Sequence, residues 1–140
     1  MMLNETTGLD PDNIKLRSIH GPNGADYLFP GYWVWALVLD NLVAIGYDIN
    51  NIYFANYDWR LSPNNLNKRD SYWDRTKFEI ETSVKLNNEK VVLLGHSMGA
   101  NMIIYFLQWV QSDHPLVNFH INSIVYKCAI SIIYKYRLIS

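Results

Sequence analysis

The residues best suited to chemistry in this sequence are Gly95-His96-Ser97-Met98-Gly99. A serine hydroxyl is a weak nucleophile until an adjacent base takes its proton. Glycines two positions to either side let the chain turn sharply and hold that hydroxyl clear of its neighbours. Chance supplies a Gly-x-Ser-x-Gly pattern in roughly 5% of chains of this length, so the setting carries the weight. Val91-Val92-Leu93-Leu94 runs into Gly95 as a buried strand would, and an apolar helical pattern begins at Met98. Strand, sharp turn and helix make a nucleophile elbow. There the Met98 backbone N–H would face the oxyanion formed on an attacked carbonyl, and the helix N-terminus adds positive partial charge. A side chain at Gly95 or Gly99 would strike the opposing strand or helix. The competing reading, Ser97 as a helix cap in an inert turn, requires neither glycine.

A nucleophilic serine also needs a base and an acid, which follow it in chain order on this kind of elbow. Asp113 and His114 fall at the far end of the helix that starts beside Ser97, roughly 20 Å away by helical rise. His120 opens the next strand at the opposite sheet edge. His96 reads as a packing or hydrogen-bonding residue, and His20 belongs to an N-terminal loop. The acid and base are therefore expected beyond Ser140, with little turnover from these 140 residues alone. Asp58 and Arg60 lie two residues apart at the end of a predicted strand and so share one face. They read either as a floor for the active site or as a structural ion pair, with Trp59 pointing into the core. Lys68, Arg69 and Asp70 read as solvated charges at a helix start.

The elements that would position these groups follow from periodicity. Residues 5–30 are loop. Residues 31–45 form an apolar helix stopped by Gly46 and buried on more than one side. Ile52 to Trp59 is a strand, and Ser62-Pro63-Asn64-Asn65 a polar loop. Residues 69–86 form a helix with Trp73, Ile80 and Val84 inward, ended by Asn87-Asn88. Lys90 to Leu94 is a strand, Met98 to Gln111 a helix and Ile121 to Tyr126 a strand. Helices alternating with strands at this spacing imply an α/β architecture: a parallel sheet of about three strands with helices on both faces.

Composition narrows the function classes. Five Trp and ten Tyr supply ample core, and most of these rings are expected inside. Net charge is close to zero and no Lys/Arg stripe exists, which argues against nucleic acid. Cys128 stands alone, so no internal disulfide forms. No signal peptide is visible, and no run reaches the roughly 18 apolar residues of a membrane span. The nearest, Ile121 to Ile139, is broken by Asn122, Lys127, Lys135 and Arg137. An interfacial role stays open, because Trp and Tyr favour membrane–water boundaries.

Several stretches, taken in order, resemble the lecithin:cholesterol acyltransferase family, and most nearly its phospholipid:diacylglycerol acyltransferase branch. They are Thr7-Gly8-Leu9-Asp10-Pro11, Gly31-Tyr32-Trp33-Val34-Trp35, Ile45-Gly46-Tyr47, Tyr57-Asp58-Trp59-Arg60-Leu61, Arg69-Asp70, Glu89-Lys90-Val91 and the Gly95–Gly99 elbow. The resemblance covers about residues 5–125. It implies an incomplete α/β-hydrolase (acyltransferase) domain over 1–125 and a divergent tail over 126–140. It also implies that Ser97 takes a fatty acyl group from a phospholipid and passes it to diacylglycerol or a sterol. No metal or cofactor is implied. Membrane-surface contact and association with the endoplasmic reticulum are.

Two other readings remain at this point. A lipase or phospholipase would share every step up to the acyl-enzyme and then use water. A non-catalytic remnant would expose large apolar patches and self-associate or adsorb to membranes.

Overall fold

The computed structural model describes residues 3–25, 27–29, 31–33, 35–113, 121–126 and 131–134. His114, His120, Cys128 and most of the expected tail lie outside the described residues. A single turn of 3₁₀ helix, Pro22–Gly24, precedes a two-stranded antiparallel ladder of β1 (Tyr27–Phe29) and β2 (Tyr32–Trp33). Then follow α1 (Ala36–Ala44), β3 (Ile52–Tyr53), α2 (Pro63–Asp70), α3 (Tyr72–Asn87), β4 (Val91–Gly95), α4 (Met98–Asp113), β5 (Ile121–Tyr126) and β6 (Ser131–Tyr134).

The expected partial α/β-hydrolase fold with a parallel sheet is overturned. Helix predominates over strand, and the four-stranded sheet, in the order β3-β6-β4-β5, is mixed. Among the described strands only β4 and β5 run parallel, from Val91↔Ile121 to Gly95↔Tyr126. β6 is antiparallel to both β4 and β3, with Leu93↔Ile132 and Ile52↔Ile133 in register. The reason is connection length. A parallel return needs a crossover of a dozen or more residues, and only residues 127–130 separate β5 from β6.

The expected helix over 31–45 divides. Gly31, at φ 91°, joins β1 to β2, and the helix starts only at Ala36. Its end is as the sequence implies. Gly46 takes φ 97°, and the Gly46 and Tyr47 N–H groups return to the carbonyls of Val43 and Leu42 at 3.0 Å each. This closes the helix with a left-handed glycine cap. Burial differs from expectation: α1 has no buried residue, and Leu37, Val38 and Val43 are exposed. An apolar surface states a preference for burial, and no described element meets it here.

The expected loop at 62–65 is instead the start of α2. Ser62 accepts a hydrogen bond from the Asn65 N–H at 3.3 Å, and Pro63 fills the first helical position, where its missing N–H costs nothing. Ser71, at φ 49°, divides α2 from α3, and the Asn67 side chain accepts from the Trp73 N–H at 2.9 Å. Asn88, at φ 51°, ends α3 as predicted. The strand expected over 52–59 shortens to Ile52–Tyr53, the two residues that β6 pairs.

The core gathers on β4. Val91 and Leu93 point into one cluster with Trp73 and Ile80 of α3 and Met102, Ile103, Phe106 and Val110 of α4. Leu66 of α2 is fully buried in it. The aromatic rings divide: Trp35 and Trp73 are buried, whereas Trp33 and Trp59 are exposed. Trp59, expected in the core, is 72% exposed. No helix among the described residues is long and apolar enough to cross a membrane.

Candidate functional site

β4 delivers the chain to Gly95, and α4 leaves from Met98. His96 and Ser97 form the turn between them. Ser97 is exposed and sits at φ 54°, a left-handed conformation that costs a non-glycine residue about 1 kcal/mol or more. The bend is tied by the Gly99 N–H donating to the His96 carbonyl at 2.9 Å and the Ala100 N–H donating to that of Ser97 at 3.0 Å. As a first-turn group, the Met98 N–H has no acceptor within α4.

Gly95 is needed for space. A Cβ there would lie 2.7 Å from Ile103 Cδ1 and 3.0 Å from the Ala100 backbone. The close neighbour is α4 itself, so strand and helix meet tightly enough to force the bend. Among the described residues, no side chain is hydrogen-bonded to Ser97. Asp113 is the last residue of α4, at the far end of the helix from Ser97.

Beside the turn lies a cavity of about 520 Å³. Its wall includes His96 and Gly99 from the turn and Ala55, Asp58, Trp59 and Arg60 from the segment after β3. Trp35, Asn56 and the N-terminal strap from Arg17 to Ile19 also line it. Of the residues expected to matter, Asp58, Arg60 and Gly99 are thus brought to one cavity. Gly95, Ser97 and Met98 stand at its edge in sequence and do not line it. His96, expected as a packing residue, is exposed and faces the cavity, and its partial desolvation holds the imidazole below its ordinary pKa.

Asp58 and Arg60 do form an ion pair. Arg60 donates from Nε to Asp58 Oδ1 at 2.7 Å and from Nη2 to Oδ2 at 2.8 Å. The pair belongs to a larger network that local sequence does not announce. Arg69, expected as a solvated charge, has a side chain 0% exposed, and that of Asp58 is 3% exposed. Arg69 reaches Asp58 Oδ2 and Asp10 Oδ1 at 3.3 Å and Asp70 Oδ2 at 2.7 Å. Arg17 closes the ring to Asp10 at 2.6 Å and Asp70 at 3.2 Å. The Arg60 hydrogen bonds, aided by those of Arg69, hold the Asp58 carboxyl down at about 2. One local signal for Arg69 does exist. It lies three residues after Leu66 on α2, hence on the helix face that the fully buried Leu66 turns inward.

The N-terminal strap is held to this framework by polar contacts. Asn56 Nδ2 donates to the Ile19 carbonyl at 2.6 Å and to that of Gly21 at 2.9 Å. No residue from Pro11 to Ala25 is buried.

Comparison with known proteins agrees with the motifs. The family model described as lecithin:cholesterol acyltransferase matches residues 1–132. A phospholipid:diacylglycerol acyltransferase of Schizosaccharomyces pombe is 49% identical over 113 residues, covering 81% of this chain and 18% of that protein. The protein of the same name from Saccharomyces cerevisiae is 44% identical over 133 residues, covering 89% of this chain and 20% of that protein. A phospholipid–sterol O-acyltransferase of Arabidopsis thaliana is 36% identical over 119 residues, or 81% of this chain and 19% of that protein. The chain thus spans about a fifth of the length of the curated relatives it matches. No solved structure matches. On the family model and these relatives, the chain belongs to the lecithin:cholesterol acyltransferase family.

Proposed function

We propose that this chain is the nucleophile-bearing segment of a serine-dependent lipid O-acyltransferase, with Ser97 as the nucleophile. The observation that carries the reading is the exposed Ser97 hydroxyl on a left-handed bend between β4 and α4. Ser97 Oγ attacks the carbonyl of a phospholipid acyl ester and gives its proton to a base. The Met98 N–H stabilises the oxyanion of the tetrahedral intermediate. Collapse breaks the ester bond, and the lysophospholipid oxygen leaves with the proton. A hydroxyl of diacylglycerol or a sterol then attacks the acyl-serine, and Ser97 recovers its proton. In this scheme Asp58 and Arg60 serve as the cavity floor, and Gly95 and Gly99 permit the bend.

The base is not among the groups bonded to Ser97 in the described residues. We therefore expect little or no turnover from these 140 residues alone. The reading is supported by membership of a lipid acyltransferase family and by relatives named for phospholipid donors with diacylglycerol or sterol acceptors. The exposed rings of Trp33 and Trp59 suit contact with a lipid surface.

In the full-length protein a fluorophosphonate should label Ser97, as read by peptide mass spectrometry, and Ser97→Ala should abolish that adduct. In the full-length protein, labelled phospholipid with diacylglycerol should yield labelled triacylglycerol. Free fatty acid as the sole product would make water the acceptor and overturn the transferase reading.

A further inference from the structure

The same cavity carries two guanidinium groups that are fixed along one edge and open along another. Arg60 commits Nε and Nη2 to Asp58. Its Nη1 has no partner among the described residues. Arg17 commits Nε to Asp70 and Nη1 to Asp10 and the Leu16 carbonyl. Its Nη2 likewise has none. Both side chains line the cavity and are about one-third exposed, at 33% for Arg60 and 35% for Arg17. The carboxylates behind them face Arg69 as well, so the ion ring fixes both guanidinium planes before any ligand arrives.

The remaining donors point to an anion with several acceptor oxygens. Guanidinium N–H groups suit phosphate oxygens, and a pre-fixed plane loses little entropy on binding. The three carboxylates Asp10, Asp58 and Asp70 cancel the charge of Arg17, Arg60 and Arg69, so the site offers directed N–H donors without net positive charge, which favours a singly charged phosphodiester over a highly charged polyanion. The rest of the wall is amphipathic. Ser18, Asn56 and His96 are polar, while Trp35 and Trp59 offer apolar surface to a glycerol and acyl stem. A cavity of about 520 Å³ accommodates part of a lipid and not a whole one.

We infer that Arg17 and Arg60 together form a phosphodiester-binding site that holds the headgroup of the phospholipid donor beside Ser97. This rests on the reading of the cavity as the donor site. It assigns donor selectivity to an N-terminal strap and to the segment after β3, neither of which supplies the nucleophile.

The test is titration calorimetry on the 140-residue chain with three probes: dihexanoyl phosphatidylcholine below its micelle concentration, dihexanoylglycerol and inorganic phosphate. The phosphatidylcholine should bind, and Arg17→Gln and Arg60→Gln should each weaken it about tenfold while leaving dihexanoylglycerol unchanged. Arg60→Lys should recover part of the loss. Arg17 sits on the unburied strap, so Arg17→Gln remains informative if Arg60→Gln fails to fold. Four results would each overturn the inference. They are no phosphatidylcholine binding by the parent chain, unchanged binding in a folded Arg17→Gln variant, equal loss of both lipids, and inorganic phosphate binding as tightly as phosphatidylcholine. The last would make the site one for free phosphate. Failure of Ser97 labelling would sink the acyl-serine reading and leave these titrations interpretable.

Discussion

Arg69 places both terminal nitrogens 3.3 Å from Asp58 Oδ2, and it does so from a side chain wholly shielded from water. It joins the far end of α2 to the cavity floor and to Asp10, seven residues before the strap residue Arg17. A buried charge pair is a weak net stabiliser as a whole, but removing one member strands the other. Arg69→Met should therefore lower unfolding free energy by about 3 kcal/mol, measured by urea denaturation. A loss below about 0.5 kcal/mol, the scale of an exposed pair, would show that the network is solvated in solution.

Asp58 sets an acid-stability limit. Its carboxyl is held at about 2 in the folded chain by the hydrogen bonds from Arg60 and then Arg69, against about 3.9 when unfolded. A depressed folded value means the unfolded state takes up the proton first. The stabilisation is thus complete above about pH 4 and is lost as pH falls from there toward 2, amounting to about 2 kcal/mol. Melting temperature followed from pH 6 to pH 2 should show this decline. Asp58→Asn should start lower and decline less over the same window.

The bend at Ser97 separates strain from chemistry. Ser97→Gly removes the cost of a left-handed non-glycine residue and should raise stability by about 1 kcal/mol, while eliminating the fluorophosphonate adduct. Ser97→Ala eliminates the adduct and keeps the strain. Equal unfolding midpoints for the two variants would mean that the positive φ at this position is not maintained in solution.

Gly95 offers a test of packing behind the bend. The new methyl group in Gly95→Ala would press on Ile103 Cδ1 at 2.7 Å and on the Ala100 backbone at 3.0 Å. Overpacking of this kind costs about 1–3 kcal/mol. Ile103→Val removes the side-chain clash and leaves the backbone contact. The double variant should therefore recover part of the loss, as read from chemical denaturation, and full recovery would show that α4 shifts freely.

The α2 cap is independent of the site. Ser62→Ala deletes the acceptor for the Asn65 N–H and should cost about 1 kcal/mol, with Ser62→Asp close to neutral. Hydrogen exchange at Asn65 should quicken in the alanine variant alone.

The elbow was legible because its signals are local. An apolar run, a glycine pair and a helical period fall within twenty residues, and β4 and α4 appear where they imply. The Gly46 and Asn88 helix ends were legible for the same reason: a left-handed cap needs a particular residue at one position. Local sequence makes Arg69 a solvated charge because its partners Asp10 and Asp58 are distant in sequence. It places Trp59 in the core by alternation along a strand, which fails because the strand ends at Tyr53. It buries α1, but hydrophobicity reports affinity for a covering surface rather than its presence.

Family membership, the Gly95–Gly99 bend and the helix ends around it were determined by the sequence itself, because each depends on residue types within a few positions of one another. The mixed sheet, the ring of Arg17, Arg60 and Arg69 with Asp10, Asp58 and Asp70, and the cavity that His96 shares with Arg60 were decided only in three dimensions. The physical reason is separation. Strand direction was decided by the few residues between β5 and β6, and the charges met because α2, the strap and the segment after β3 converge on one point.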